Sequence, residues 1–70
     1  MSKREDLLKL YPPGSVLELL EKIKDPYTPK YSGEIFTVRG IDDLGQIHGL
    51  WESGGSIAII PEEDKFRRIK

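Results

Sequence analysis

From Gly33 to Ile69 the sequence reads GEIFTVRGIDDLGQIHGLWESGGSIAIIPEEDKFRRI, and turn-forming residues interrupt it every few positions. The runs left between them are too short for helices and carry the two-residue alternation of strands. Residues 34–41 form one such run, and Gly40 near its end predicts a bulge that lets both Val38 and Ile41 face inward. Asp42-Asp43-Leu44-Gly45 is a hairpin connection, in which Asx side chains bond the local backbone and glycine takes a left-handed conformation. Residues 46–51 follow as a strand, with Ile47 and Trp51 on one face and Gln46, His48 and Leu50 on the other. Glu52-Ser53-Gly54-Gly55 turns into a strand at 56–60, which Pro61 ends. Glu62-Glu63-Asp64 suits a single 3₁₀ turn, and residues 66–69 make a short last strand.

The first half of the chain is read by the same signals. Ser2-Lys3-Arg4-Glu5 fits a capping box, and Asp6 adds negative charge to the first turn of a helix. Leu7, Leu10 and Tyr11 recur at helical spacing, with Leu8 beside them. Pro12 ends the helix at Tyr11, after about two turns, too few to persist without docking on something. Pro13-Gly14 is a type II turn. Residues 15–23 are the first strand, where Leu17 and Leu19 alternate with Glu18 while Leu20 and Ile23 break the pattern. Residues 24–32 are a loop, because Pro26 and Pro29 oppose regular pairing, and Tyr27 and Tyr31 interleave with them. The predicted fold is mainly β: a short N-terminal α-helix within residues 1–12, then a small five-stranded barrel over residues 13–70, together one domain.

Seventy residues bury only about 60% of their unfolded surface, so stability is marginal. Disulfides and structural zinc are the usual remedies, but the chain has no cysteine and one histidine. It must rely on one core, helped by any self-association. The net charge of −1 gives no overall attraction to nucleic acid, although Lys3, Arg4, Lys65, Arg67, Arg68 and Lys70 gather at the two ends. No apolar run approaches the roughly 20 residues of a membrane span, and none follows the N-terminus at signal-peptide length. The chain reads as a complete small cytoplasmic protein, and its lack of cysteine fits a reducing compartment.

Five short strands, a long loop after the first, two tight hairpins and a turn before the last strand resemble an SH3-like barrel. Ile60-Pro61 followed by Phe66 is similar to the step before the final strand of those domains. Most of the chain also resembles an uncharacterised bacterial family, a domain of unknown function often encoded near mobile elements. That resemblance rests on Tyr11-Pro12-Pro13-Gly14, Asp25-Pro26-Tyr27, Asp42-Asp43-Leu44-Gly45-Gln46-Ile47-His48, Trp51, and Ile60-Pro61 with Asp64 and Phe66-Arg67. Phe36 and Gly49 depart from the pattern. The resemblance implies a fold and no activity.

Four groups of residues are candidate sites. Tyr27, Tyr31 and Trp51 could line a groove for proline-rich peptides or stacked bases, or instead close the barrel and fill its core. Asp42, Asp43 and His48 could make a general base or a weak cation site, or be a hairpin turn beside a surface histidine. Lys3, Arg4, Lys65, Arg67, Arg68 and Lys70 could form one phosphate-binding patch if the termini meet, although neighbouring acids dilute its field. Leu7, Leu8 and Leu10 could pair two copies into a homodimer, or pack on their own barrel. No catalytic, metal or cofactor signature accompanies them. The expected function is a non-catalytic adaptor that binds protein or peptide, with a nucleic-acid accessory protein as the alternative.

Overall fold

Short-range hydrogen bonds set the corners of the chain, and a computed structural model describes residues 3–70. Ser15 N–H donates to Pro12 O at 3.0 Å, and the Ser15 hydroxyl donates to the same oxygen at 2.6 Å. Both donors of this buried serine are thus satisfied, and its carbonyl accepts the Val38 amide at 2.8 Å. At the next corner Asp42 Oδ1 accepts the amides of Leu44 and Gln46 at 3.0 and 2.9 Å. Gly45 completes that hairpin at φ +84°, where a side chain would be strained.

Between the corners lie helix α1 (Lys3–Leu10) and strands β1 (Val16–Leu19), β2 (Ile35–Ile41), β3 (Ile47–Trp51) and β4 (Phe66–Arg68). The strands form one antiparallel sheet in the order β3-β2-β1-β4. Alternate residues turn Leu17, Leu19, Phe36, Val38, Ile41, Ile47 and Trp51 to one face, where Ile59 joins them in a single buried cluster. The β2–β3 register shifts between Val38 and Gly40. This is the expected bulge, and it keeps both Val38 and Ile41 inside. Phe36 and Trp51 meet edge to face, with ring centroids 4.9 Å apart. The Phe36 ring also lies over Gly49: a Cβ on Gly49 would stand 2.8 Å from Phe36 Cζ and 2.0 Å from Thr37 O.

The expected five-stranded SH3-like barrel does not form. The sheet has four strands and stays open. Residues 56–60, expected as a strand, contribute one bridge, Ile47 with Ile59. The backbone groups beside that bridge are taken elsewhere. Ile57 O accepts the Trp51 indole N–H at 2.9 Å, and Ile60 N–H donates to the Asp64 carboxylate at 2.8 Å. Ile60 O accepts the amides of Glu63 and Asp64 in a single turn, and Pro61 has no N–H to offer.

The first strand is also shorter than its apolar pattern, ending at Leu19. Leu20, 45% exposed, makes one more bond to Lys65 O, and beyond it the chain leaves the sheet as a loop.

Helix α1 packs on its own sheet through Leu7 and Leu8, joined by Tyr11 just beyond its end, while Leu10 points away at 58% exposure. Arg4 Nε donates to Ile41 O and Arg68 Nη1 to Leu10 O, each at 2.9 Å. Tyr11 meets Phe66 edge to face at 5.4 Å. Glu5 and Asp6 occupy the first helical turn and Lys9 the last, as the helix dipole favours. The expected capping box needs Ser2, which lies outside the described residues.

Candidate interaction site

The loop from residue 20 to 32 leaves the β1–β2 hairpin and is held at two levels. At its base Ile23 and Lys30 exchange main-chain hydrogen bonds of 2.8 and 3.2 Å. Nearer the tip Asp25 Oδ1 accepts the amides of Tyr27 and Thr28 at 2.8 and 2.9 Å. The Thr28 amide, followed by that of Tyr27, holds the Asp25 carboxyl below its ordinary pKa. This Asx turn presents Tyr27 at 91% exposure and leaves Tyr31 half exposed. The Lys22 ammonium stands 5.1 Å from the centre of the Tyr31 ring.

Lys30 anchors this loop to the rest of the protein. Only 6% of it is exposed. Its ammonium donates to Gly54 O at 2.6 Å and Ser53 Oγ at 2.9 Å, and lies 5.4 Å from the centre of the Trp51 ring. Glu34 Oε1 is 3.9 Å away. The Ser53 hydroxyl donates to Glu34 Oε1, and the Tyr31 amide donates to Glu34 Oε2 at 2.6 Å. The Ser53 hydroxyl, then the Tyr31 amide and Lys30, hold the Glu34 carboxyl below its usual pKa against the opposing effect of burial. Beside this cluster lies a shallow depression of about 250 Å³, lined by Gly33, Glu34, Ile35, Glu52 and Ser53.

The three aromatic candidates therefore do not line one groove. Tyr27 and Tyr31 are on the surface, whereas Trp51 is 3% exposed and belongs to the core. Lys30 connects the two levels, and the sequence alone did not single it out.

Asp42 is the residue that organises the β2–β3 hairpin. Besides its two amide bonds, its Oδ2 accepts His48 Nε2–H at 2.8 Å. The His48 bond, followed by the Gln46 and Leu44 amides, holds the Asp42 carboxyl below its ordinary value. Asp43 is exposed. Among the described residues no group of three or more His, Cys, Asp or Glu side chains could hold a metal ion.

Two of these lowered carboxyls give a pH prediction. For Asp42 and Glu34, whose reference values are 3.8 and 4.5, folding favours the ionised form. Their contribution to stability is complete above those reference values and is lost as pH falls through the lower folded values. The urea midpoint should therefore stay flat from about pH 7 to about pH 5 and decline below about pH 4. Asp42→Asn keeps an acceptor for the two amides but loses the charge, so its decline should be shallower. An equal decline in the variant would remove Asp42 from the account.

The six basic candidates are spread over α1, β4 and the residues flanking β4, and their contacts run in different directions. Lys3 pairs with Glu62, and Arg4 bonds the end of β2. On β4, Arg67 lies opposite Glu18 and donates to its carboxylate at 2.6 Å. Arg68, one residue on, takes the other face and reaches the end of α1. Lys65 and Lys70 are exposed.

The chain belongs to the family described as Domain of unknown function (DUF4314), whose model matches residues 2–69. No curated protein and no solved structure matches it.

Proposed function

We propose that this member of the family is a non-catalytic interaction module, and that it grips a protein or peptide with the 20–32 loop and the depression at its base. The observation that carries this reading is Tyr27, a large aromatic side chain 91% exposed on a loop whose main chain is pinned at both levels. An aromatic ring on a preorganised loop supplies contact area with little further loss of freedom on binding. Tyr31 widens the surface, and Glu34 and Glu52 stand beside the depression. In this reading the partner is another protein, drawn from the mobile-element machinery near which the resembled family is often encoded.

The test compares what the wild-type chain and the Tyr27→Ala/Tyr31→Ala variant each retain from host lysate. The expected result is a partner held by the wild type and lost about tenfold or more by the variant, as for aromatic hot spots, with little dependence on salt. Equal retention by both chains overturns the reading. Retention that collapses with salt, and that persists in the variant, favours nucleic acid instead.

A further inference from the structure

One edge of the sheet is β4, a three-residue strand paired only with β1. Its pairing alternates. Lys65 O accepts the Leu20 amide, Arg67 pairs with Glu18, and Ile69 N–H donates to Val16 O. The N–H and C=O groups of Phe66 and Arg68 therefore point outward, and among the described residues they have no hydrogen-bond partner. Such an edge is a template for another extended chain.

The side chains along this edge restrict what can add to it. The segment reads Lys65-Phe66-Arg67-Arg68-Ile69-Lys70, with four cations in six residues. A second copy of β4 would bring the same charges opposite one another, and like charges on facing strands are destabilising. Apolar contact is available at either end, where Leu20 and Ile69 are each 45% exposed. The geometry points to strand addition on β4 by an extended acidic segment of another protein, with carboxylates placed against Lys65 and Lys70 and an apolar residue beside Ile69. The unpaired main-chain groups favour a peptide over a polyanion such as nucleic acid, whose sugar–phosphate backbone has no alternating N–H and C=O groups to continue the ladder. This surface does not involve Tyr27 or Tyr31 and stands without them.

The test uses a fluorescein-labelled octapeptide of alternating glutamate and valine, with amide hydrogen exchange read on the full chain. Saturating peptide should slow exchange at Phe66 and Arg68 by about tenfold or more, as expected of newly paired edge amides. N-methylating alternate residues of the peptide should abolish binding. Lys65→Glu/Lys70→Glu should weaken it about tenfold. Arg68→Pro removes an N–H that β1 does not use, so the fold should survive as edge prolines do. This variant should lose the peptide where Arg68→Gln keeps most of it. Tyr27→Ala/Tyr31→Ala should bind the octapeptide as the wild type does, so failure here and failure of the loop reading are separable. Unchanged exchange at Phe66 and Arg68, or undiminished binding of the N-methylated peptide, overturns the proposal. So does tighter binding of an eight-nucleotide thymidine strand that Arg68→Pro leaves intact.

Discussion

Gly49→Ala is expected to destabilise the protein by about 3 kcal/mol, the upper end of the range for overpacking a core. The added Cβ would stand 2.0 Å from the Thr37 carbonyl oxygen and 2.8 Å from Phe36 Cζ. The oxygen belongs to the neighbouring strand and cannot move without disturbing the β2–β3 ladder. The Phe36 ring cannot turn away freely either, because it is fully buried against Trp51. A domain of this size is stabilised by only a few kcal/mol, so much of the variant should be unfolded at 25 °C. Urea titration followed by far-ultraviolet circular dichroism is the direct measurement. A midpoint within error of the wild type would mean that β3 can shift to accommodate a methyl group. Phe36→Leu in the Gly49→Ala background should recover part of the loss, since it removes ring atoms from the point of conflict.

Lys30→Ala is the second large effect, also about 3 kcal/mol, most of it from the lost packing of a long buried stem. The side chain is 7% exposed, and truncation leaves Gly54 O and Ser53 Oγ without their ammonium donor. The 20–32 loop also loses its tie to the 52–55 turn. Lys30→Met keeps most of the stem and should lose less, about 1 kcal/mol, because Ser53 and Gly54 are close enough to solvent to find water. Both variants should be cut faster by protease within residues 20–32. Cleavage at the wild-type rate in Lys30→Ala would show that Asp25 and the Ile23–Lys30 bonds alone hold the loop.

Residues 34–51 were legible in the sequence because all their determinants are local. Alternation assigned Ile47 and Trp51 to the core, the Asp42-to-Gly45 run named the hairpin, and Gly40 marked the bulge. Residues 56–60 misled because Ile57, Ile59 and Ile60 have strand composition while side chains six and four residues away claim the backbone groups that pairing would use. Trp51 takes the Ile57 carbonyl and Asp64 takes the Ile60 amide, and neither claim leaves a mark on the local pattern. Lys30 was hidden for a related reason. It sits in a polar loop between Pro29 and Tyr31, and its burial comes from Trp51 and Gly54, more than twenty positions away. The split of Arg67 from Arg68 needed only the two-residue period of a strand. Reading them as one terminal patch overlooked that period. Tyr27 and Tyr31 were identified from the sequence, but which side of the surface they occupied was not.

Trp51, the single tryptophan of the chain, is closed off from solvent between Phe36 and the Lys30 ammonium. The molecule thus carries its own optical gauge. Emission should be blue in the native state and move to longer wavelength when the core opens. Because one wall of the indole's surroundings is the anchor of the 20–32 loop, the same signal should report events on that loop without any attached dye.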